Sequence, residues 1–382
     1  MEKVKERNSN HELMRIISML FIVIYHIIFH GHVLDNSLNP TLNNLIYIIL
    51  LITMVHVNSF ILLTGYYQCK KTFKQSALWK LINSTLFYKI LIVILLTIFG
   101  YIYLDKATLL KEFFPINMTG YWFMQCYFLL YCISPFLNKL INAMSKKEFK
   151  NLLIVGLIIA SLIPTITSGG AFNNNGHTLY NFIYLYFVGA YLRLYPVDKS
   201  YLLKKLSSNS YKLTLIIIFL VCGFGQYILL CFANNISGTN SLFTEIANII
   251  RNSMIIPEGT GHNYSNPLVI IQSVAYFLFF TTLVFRSKFI NKVATLVFGV
   301  YLIHENRWLR LFEYKWLKID NGPIYSCKFL IYMILIAVSF YIVMLIIEFI
   351  RQVIFKFIYN RKISKKIRDG YYNWLHSFYI KD

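Results

Sequence analysis

Very little of this sequence is suited to face water. Asp and Glu together number only 16, and charged residues of both signs make up 14 per cent of the 382 residues. Soluble domains carry nearer a quarter. That shortage excludes the pair of soluble domains that this length would otherwise suggest, because the polar side chains could not cover even one. Cysteine is sparse as well. Cys69, Cys126, Cys132, Cys222, Cys231 and Cys327 form no CxxC pair, so neither a zinc site nor a disulfide framework is indicated, and they read as small packing residues. No internal repeat, heptad, low-complexity tract or second-domain boundary is visible.

What is present is apolar. Hydrophobic residues make up 57 per cent and aromatics 17 per cent. They come in blocks of roughly 18–25, the length a helix needs to cross ~30 Å of hydrocarbon. Spans are expected at about 13–30, 43–65, 82–104, 121–141, 152–168, 178–195, 213–233, 267–285, 293–312 and 327–350. The first block is expected to remain as a helix and not to be cleaved as a signal. The net charge of +21 could suggest nucleic acid, since basic faces bind phosphate backbones, but its placement says otherwise. Most of the 37 Lys and Arg fall outside the spans or within a few residues of their ends, and Arg15 and Lys89 are the two taken as lying within the membrane. With the N-terminus inside, most of the others lie in cytoplasmic segments, the positive-inside pattern.

The expected fold class is therefore all-α: a polytopic membrane protein of about ten transmembrane helices with both termini cytoplasmic. Residues 1–382 form one integral membrane domain, with spans over about 13–350 and a basic cytoplasmic tail at 351–382. The last external loop, with Arg307, Arg310, Lys315, Lys318 and Lys328, violates the charge pattern. Between spans, LFTEIANIIRNSMII (242–256) has helical apolar spacing but is too short to span, and is expected to be an interfacial or re-entrant helix.

The informative stretch is HELMRIISMLFIVIYHIIFHG (11–31). Ionisable residues within a span are expensive and by default face a protein interior or a water-filled cavity. Arg15 and His26, eleven residues apart, differ by only ~20° around a helix and ~16 Å along it. Glu12 and His30 fall within ~40° of the same line. A lone intramembrane histidine is usually a packing residue bonded to a carbonyl; four aligned ionisable groups suggest function. Glu12 is placed to orient Arg15 through an i, i+3 pair, and Lys89 to snorkel or pair within the bundle.

NSNHELMRIISMLFIVIYHIIFHG, with an Arg followed after ten residues by a His, resembles the first helix of the acyltransferase-3 family, membrane acyltransferases many of which O-acetylate bacterial surface polysaccharides. Further fragments resemble the family in order: FILLTGYY (60–67), with Thr64 where the family has Ser; GYWFMQCYFLLYCISPFLNKLI (120–141), at Trp122; and FGVYLIHE (298–305), at Tyr301 and His304. Together they cover nearly the whole chain. One departure stands out. Many members carry an Arg-x-Arg pair after the second helix, thought to hold donor phosphates, where this chain has Gln68, Cys69, Lys70 and Lys71, with Lys74 close by. Lysine meets a phosphate as a point charge, without arginine's bidentate fork.

The resemblance implies an enzyme of the cell (plasma or inner) membrane that moves an acetyl or similar group from acetyl-CoA to a hydroxyl of a polysaccharide or its lipid-linked precursor. Arg15, with Lys70, Lys71 and Lys74, would hold the CoA phosphates. His26 would act as base or acyl carrier, with His304 a second candidate and Trp122 packing donor or sugar. No metal is expected. The rival is a transporter or flippase, because intramembrane His and Arg also line transport paths. Against it, the chain lacks paired helices broken by Gly or Pro in two related halves.

Overall fold

Apolar blocks of membrane length can satisfy their backbone in lipid only as helices or closed barrels. The computed structural model describes residues 8–31, 33–35, 39–113, 120–167, 174–196, 208–236, 242–254, 263–319, 322–323 and 326–359, and these form helices and no strand. All six cysteines are free.

Helix α1 spans Ser9–His30. Asn39 caps α2, Pro40–Thr53, by accepting from Thr41 N, the usual role of Asn ahead of a first-turn proline. After a two-residue break the same apolar block continues as α3, His56–Gln68. There follow α4, Gln75–Ile98, and the short α5, Lys106–Glu112. Next come α6, Trp122–Ala143, and α7, Lys146–Leu157, which Ser145 and Glu148 start as a capping box. A π turn at Ile158–Leu162 leads into α8, Ile163–Ile166. Thr178 caps α9, Leu179–Leu194. Then come α10, Ser208–Asn235, α11, Leu242–Met254, and α12, Pro267–Thr282. The chain then breaks into α13, Lys288–Val293, α14, Val297–His304, and α15, Arg310–Leu317, before the long α16, Lys328–Tyr359.

Among the described residues, six helical stretches are long and apolar enough to cross a membrane: Ser9–His30, Pro40–Gln68, Gln75–Ile98, Lys146–Ile166, Asn209–Asn235 and Lys328–Phe357. Pro267–Thr282 is apolar but shorter. The expected ninth span at 293–312 is corrected: α14 ends at His304. There Asn306 turns the chain, its Oδ1 accepting from Trp308 N at 3.0 Å and Leu309 N at 3.3 Å. The segment expected at 242–256 does form a helix, α11, which packs on α10 and α8. The tail beyond Tyr359 lies outside the described residues, as do parts of the loops at 105–120, 165–177 and 234–266.

Helix α1 is the central strut, in contact with α2, α3, α12, α13, α14 and α16. It buries Ser9, His11, Glu12 and Ser18 together with its apolar face. Outward-facing apolar side chains such as Ile98, Val221, Ile228 and Ile331 cover the rim of the bundle, as a lipid-facing surface requires. Helices α3 and α9 approach each other closely. A Cβ on Gly65 would overlap the Tyr186 carbonyl, and one on Gly189 would overlap the Leu62 carbonyl. Small residues let membrane helices approach in this way.

Helix α3 packs against α1 as well as α9. Gly189→Ala should lower the thermal unfolding midpoint of the detergent-solubilised protein by the several degrees that ~1–3 kcal/mol of overpacking produces. Gly225→Ala, where an added Cβ meets nothing within 4 Å, should leave it unchanged. Equal midpoints for the two variants would show that the α3–α9 crossing is not tight.

Candidate active site

A cavity with about 990 Å³ of empty space, part of it open to solvent, runs along α1. Arg15, Met19, Ile22 and His26 line it, one residue from each successive turn, so the aligned face seen in the sequence is the face that meets the cavity. The opposing walls come from Phe60 and Thr64 on α3, Trp122 on α6 and Tyr301 on α14. The arrangement thus brings together Arg15, His26 and Trp122, three of the residues singled out from the sequence. His304 stands directly behind His26.

The hydrogen bonds of this pair fix its protonation pattern. His304 Nδ1 lies 2.8 Å from the Val300 carbonyl oxygen. A carbonyl can only accept, so Nδ1 carries the proton and a neutral His304 offers Nε2 as an acceptor. That Nε2 lies 3.1 Å from His26 Nδ1, which must therefore donate. A Glu305 carboxylate oxygen lies 3.0 Å from the same nitrogen but off the direction of a hydrogen bond, which His304 occupies. Both neighbours of His26 Nδ1 are acceptors, so its proton stays there. The lone pair of the ring is left on Nε2, which has no hydrogen-bond partner among the described residues, on a side chain that lines the cavity. Arg310 in turn donates to Glu305 at 2.7 Å. Nδ1 of His26, Nε2 of His304 and a Glu305 oxygen lie within 4.8 Å of one another, a spacing that could hold a metal ion. The hydrogen bond between the two rings occupies both nitrogens, so a metal would have to displace it, whereas Glu305 Oε2 accepts no hydrogen bond.

A second ring system closes the same end of the cavity. At the break between α2 and α3, His56 Nδ1 donates to the Thr53 carbonyl at 2.5 Å, and its Nε2 meets the Tyr264 hydroxyl at 3.1 Å. Tyr264 stacks at 6.0 Å on Trp122, and His177 contacts both rings, at 4.4 Å from Trp122 and 4.9 Å from Tyr264. Trp122 therefore stands in a wall of rings beside His26. Sequence reasoning missed Glu305, His56 and Tyr264 as site residues. Glu305 follows His304 directly, but nothing in the sequence links it to His26. His56 lies in an apolar block whose helical break carries no Pro or Gly.

At the other end, Glu12 holds Arg15 at 3.3 Å as the i, i+3 pair the sequence suggested. His11, one turn earlier, is stacked on Phe277 at 5.4 Å with its Nδ1 2.7 Å from the Tyr67 hydroxyl. Lys70, Lys71 and Lys74 are exposed on the turn that follows α3, with Lys71 5.4 Å over the Tyr67 ring. None of the three lines the cavity.

Several membrane-length helices closed around a cavity that carries Arg15, His26 and Glu305 define a class: a multi-pass membrane protein with a polar internal site. The family is set by the sequence as a whole. The family model described as an acyltransferase domain, that of the acyltransferase-3 family, matches residues 8–349. The chain belongs to that family and is a membrane acyltransferase. No curated protein and no solved structure gives a match.

The segment after His304 is anchored by a charged knot. Glu112 on α5 is buried and takes Arg307, the Trp308 indole N–H at 3.2 Å, and the buried Lys89 of α4 at 3.4 Å. This pairs Lys89 within the bundle. It also accounts for part of the excess positive charge of this loop, since Arg307 and Arg310 serve as counter-ions to Glu112 and Glu305. Removing one partner of a buried pair leaves the other charge uncompensated, typically at ~3–5 kcal/mol. Glu112→Ala should therefore lower the thermal midpoint in detergent substantially, and Glu112→Gln should do so less. An unchanged midpoint for the alanine variant would mean that Lys89 finds water or lipid phosphate instead.

Proposed function

We propose that this protein transfers an acetyl or similar acyl group from acetyl-CoA to a hydroxyl of a cell-surface polysaccharide or its lipid-linked precursor. The observation that supports this most is the His26 tautomer: an unprotonated Nε2 on the wall of a cavity that also reaches Arg15. The two residues are ~16 Å apart along α1. Phosphates held at Arg15 would let the slender pantetheine arm run past Met19 and Ile22 and bring the thioester to His26. Lys70, Lys71 and Lys74 would meet the phosphates outside the mouth, as point charges.

At the ring, Nε2 takes the proton of the acceptor hydroxyl as its oxygen attacks the thioester carbonyl. The C–O bond forms, the C–S bond breaks, and the imidazolium returns the proton to the departing thiolate, giving ester and free CoA. Glu305 stabilises the imidazolium while it lasts, and His304 holds the ring in the productive tautomer. Trp122 and Tyr264 offer flat faces to a sugar ring. In this proposal α6, α9, α12 and the broken α13–α15 segment join the six long spans. The chain then crosses the cell membrane about ten times, with both termini cytoplasmic and the Arg15 end of the cavity facing the CoA pool.

The test is CoA release from acetyl-CoA by the purified protein in membranes with a surface-glycan acceptor. His26→Ala should lose ~10²–10⁴ in rate, the usual worth of general-base help, and His26→Asn should be as inactive while remaining folded. His304→Ala should lose less, because it frees the tautomer without removing the base. A fully active His26→Asn enzyme would eliminate His26 as the base. Acetyl-CoA left unconsumed by the parent protein would favour a transporter.

A further inference from the structure

Beyond Arg15, α1 continues for about two more turns to a second cleft, with about 720 Å³ of empty space, at the start of the helix. Asn8, Thr281, Val284, Phe285 and Arg286 line it. Asn8 and Arg15 are seven residues apart, which places the cleft ~10 Å from Arg15 along the axis and within ~20° of the same face. The cleft thus lies beyond the Arg15 end of the cavity along α1, and Asn10, ~140° around the helix from Arg15, lines it as well.

Its walls are held in place. The extended segment Leu283–Ser287, between α12 and α13, is stitched to the head of α1. Ser287 N donates to Ser9 Oγ at 2.9 Å, and Asn10 Nδ2 donates to the Phe280 carbonyl at 2.9 Å. On this segment Val284 is 96 per cent exposed, beside the partly buried Phe285 and the exposed Arg286. Asn8 stands at the N-cap position, yet its side chain makes no cap bond. Its Nδ2 donates instead to the Tyr67 hydroxyl at 3.0 Å, which leaves Oδ1 available to a donor. The cleft therefore combines an apolar face, an amide acceptor and a guanidinium. A flat heterocycle with an amino group and a nearby phosphate has this complement: rings stack on apolar and aromatic faces, and the arginine fork suits phosphate.

We propose that this cleft holds the nucleotide end of acyl-CoA. Arg286 binds the 3′-phosphate, and the adenine lies on Val284 and Phe285 with its amino group toward Asn8 Oδ1. Arg15 takes the pyrophosphate between the cleft and the cavity. The proposal rests on the acyl-CoA donor proposed above, and it adds a residue, Arg286, that would read a part of the donor remote from the chemistry.

Acetyl-CoA and acetyl-3′-dephospho-CoA differ only in the group that Arg286 would bind. Steady-state kinetics with both donors, on the parent, Arg286→Ala and Arg286→Lys proteins in membranes, decide the matter. Arg286→Ala should raise KM for acetyl-CoA about tenfold, the factor that 1.4 kcal/mol produces, and Arg286→Lys should recover part of it. The alanine variant should use the dephospho donor no worse than the parent does. If Arg286→Ala weakens both donors equally, the cleft binds something other than the 3′-phosphate, an anionic lipid headgroup included, and the proposal fails. It fails also if neither KM moves. A parent protein that releases no CoA from either donor would instead overturn the donor itself, and this site with it.

Discussion

The hydrogen bond from His304 Nδ1 to the Val300 carbonyl decides what every other group at the site can do. Because that carbonyl can only accept, His304 must present a bare Nε2 to His26, and His26 must present a bare Nε2 to the cavity. The pattern passes through two rings without any group needing a proton it does not have. It also depends on where α14 stops. Ending at His304 puts Glu305 in the turn, where it can approach His26 from the side while Arg310 takes its other oxygen. Asn306 makes that stop by capping the backbone N–H groups that follow, and its Nδ2 also holds the Tyr121 hydroxyl at 3.1 Å.

Ionised groups inside an apolar bundle are tolerated only with partners, and this molecule supplies them in knots around α14. Glu305 has Arg310, and Glu112 has Arg307 and Lys89. Glu348 on α16 takes Arg351 at 2.6 Å, Gln352 at 2.8 Å and the Tyr88 hydroxyl of α4 at 2.5 Å. Gly299 on α14 has no side chain where the Glu348 carboxylate passes. The segment that follows His304 is thereby tied to α4 and α5 through charge and Glu348 ties α16 to α4, while α1 is held by packing and by hydrogen bonds such as Ser287 N to Ser9 Oγ. The reactive pair sits where the two systems meet.

Much of this was legible in the sequence, for reasons that can be traced. Arg15 and His26 announced themselves because charge within an apolar block is rare and their spacing is helical, so the shared face could be read without coordinates. Glu12 and Lys89 paired as their positions suggested. The ninth span was drawn too long: the apolar run from 293 ends at Ile303, and the polar stretch His304–Arg307 is where Asn306 caps the break. Glu305 was hidden because nothing in the sequence links it to His26, a residue nearly three hundred positions away. His56 and Tyr264 meet only through tertiary packing. Lys70, Lys71 and Lys74 were placed by likeness to a motif, and their side chains stand outside the cavity.

The central claim is that His26 is held with its proton on Nδ1 and its lone pair on Nε2. Nitrogen-15 NMR of the histidine-labelled protein in membranes measures this directly, with His26 assigned by difference against His26→Gln. The account predicts a protonated Nδ1 and a bare Nε2 at neutral pH, and a loss of that preference in His304→Ala. A proton on Nε2 of His26 in the parent protein would contradict it, because the ring would then have no base to offer the cavity.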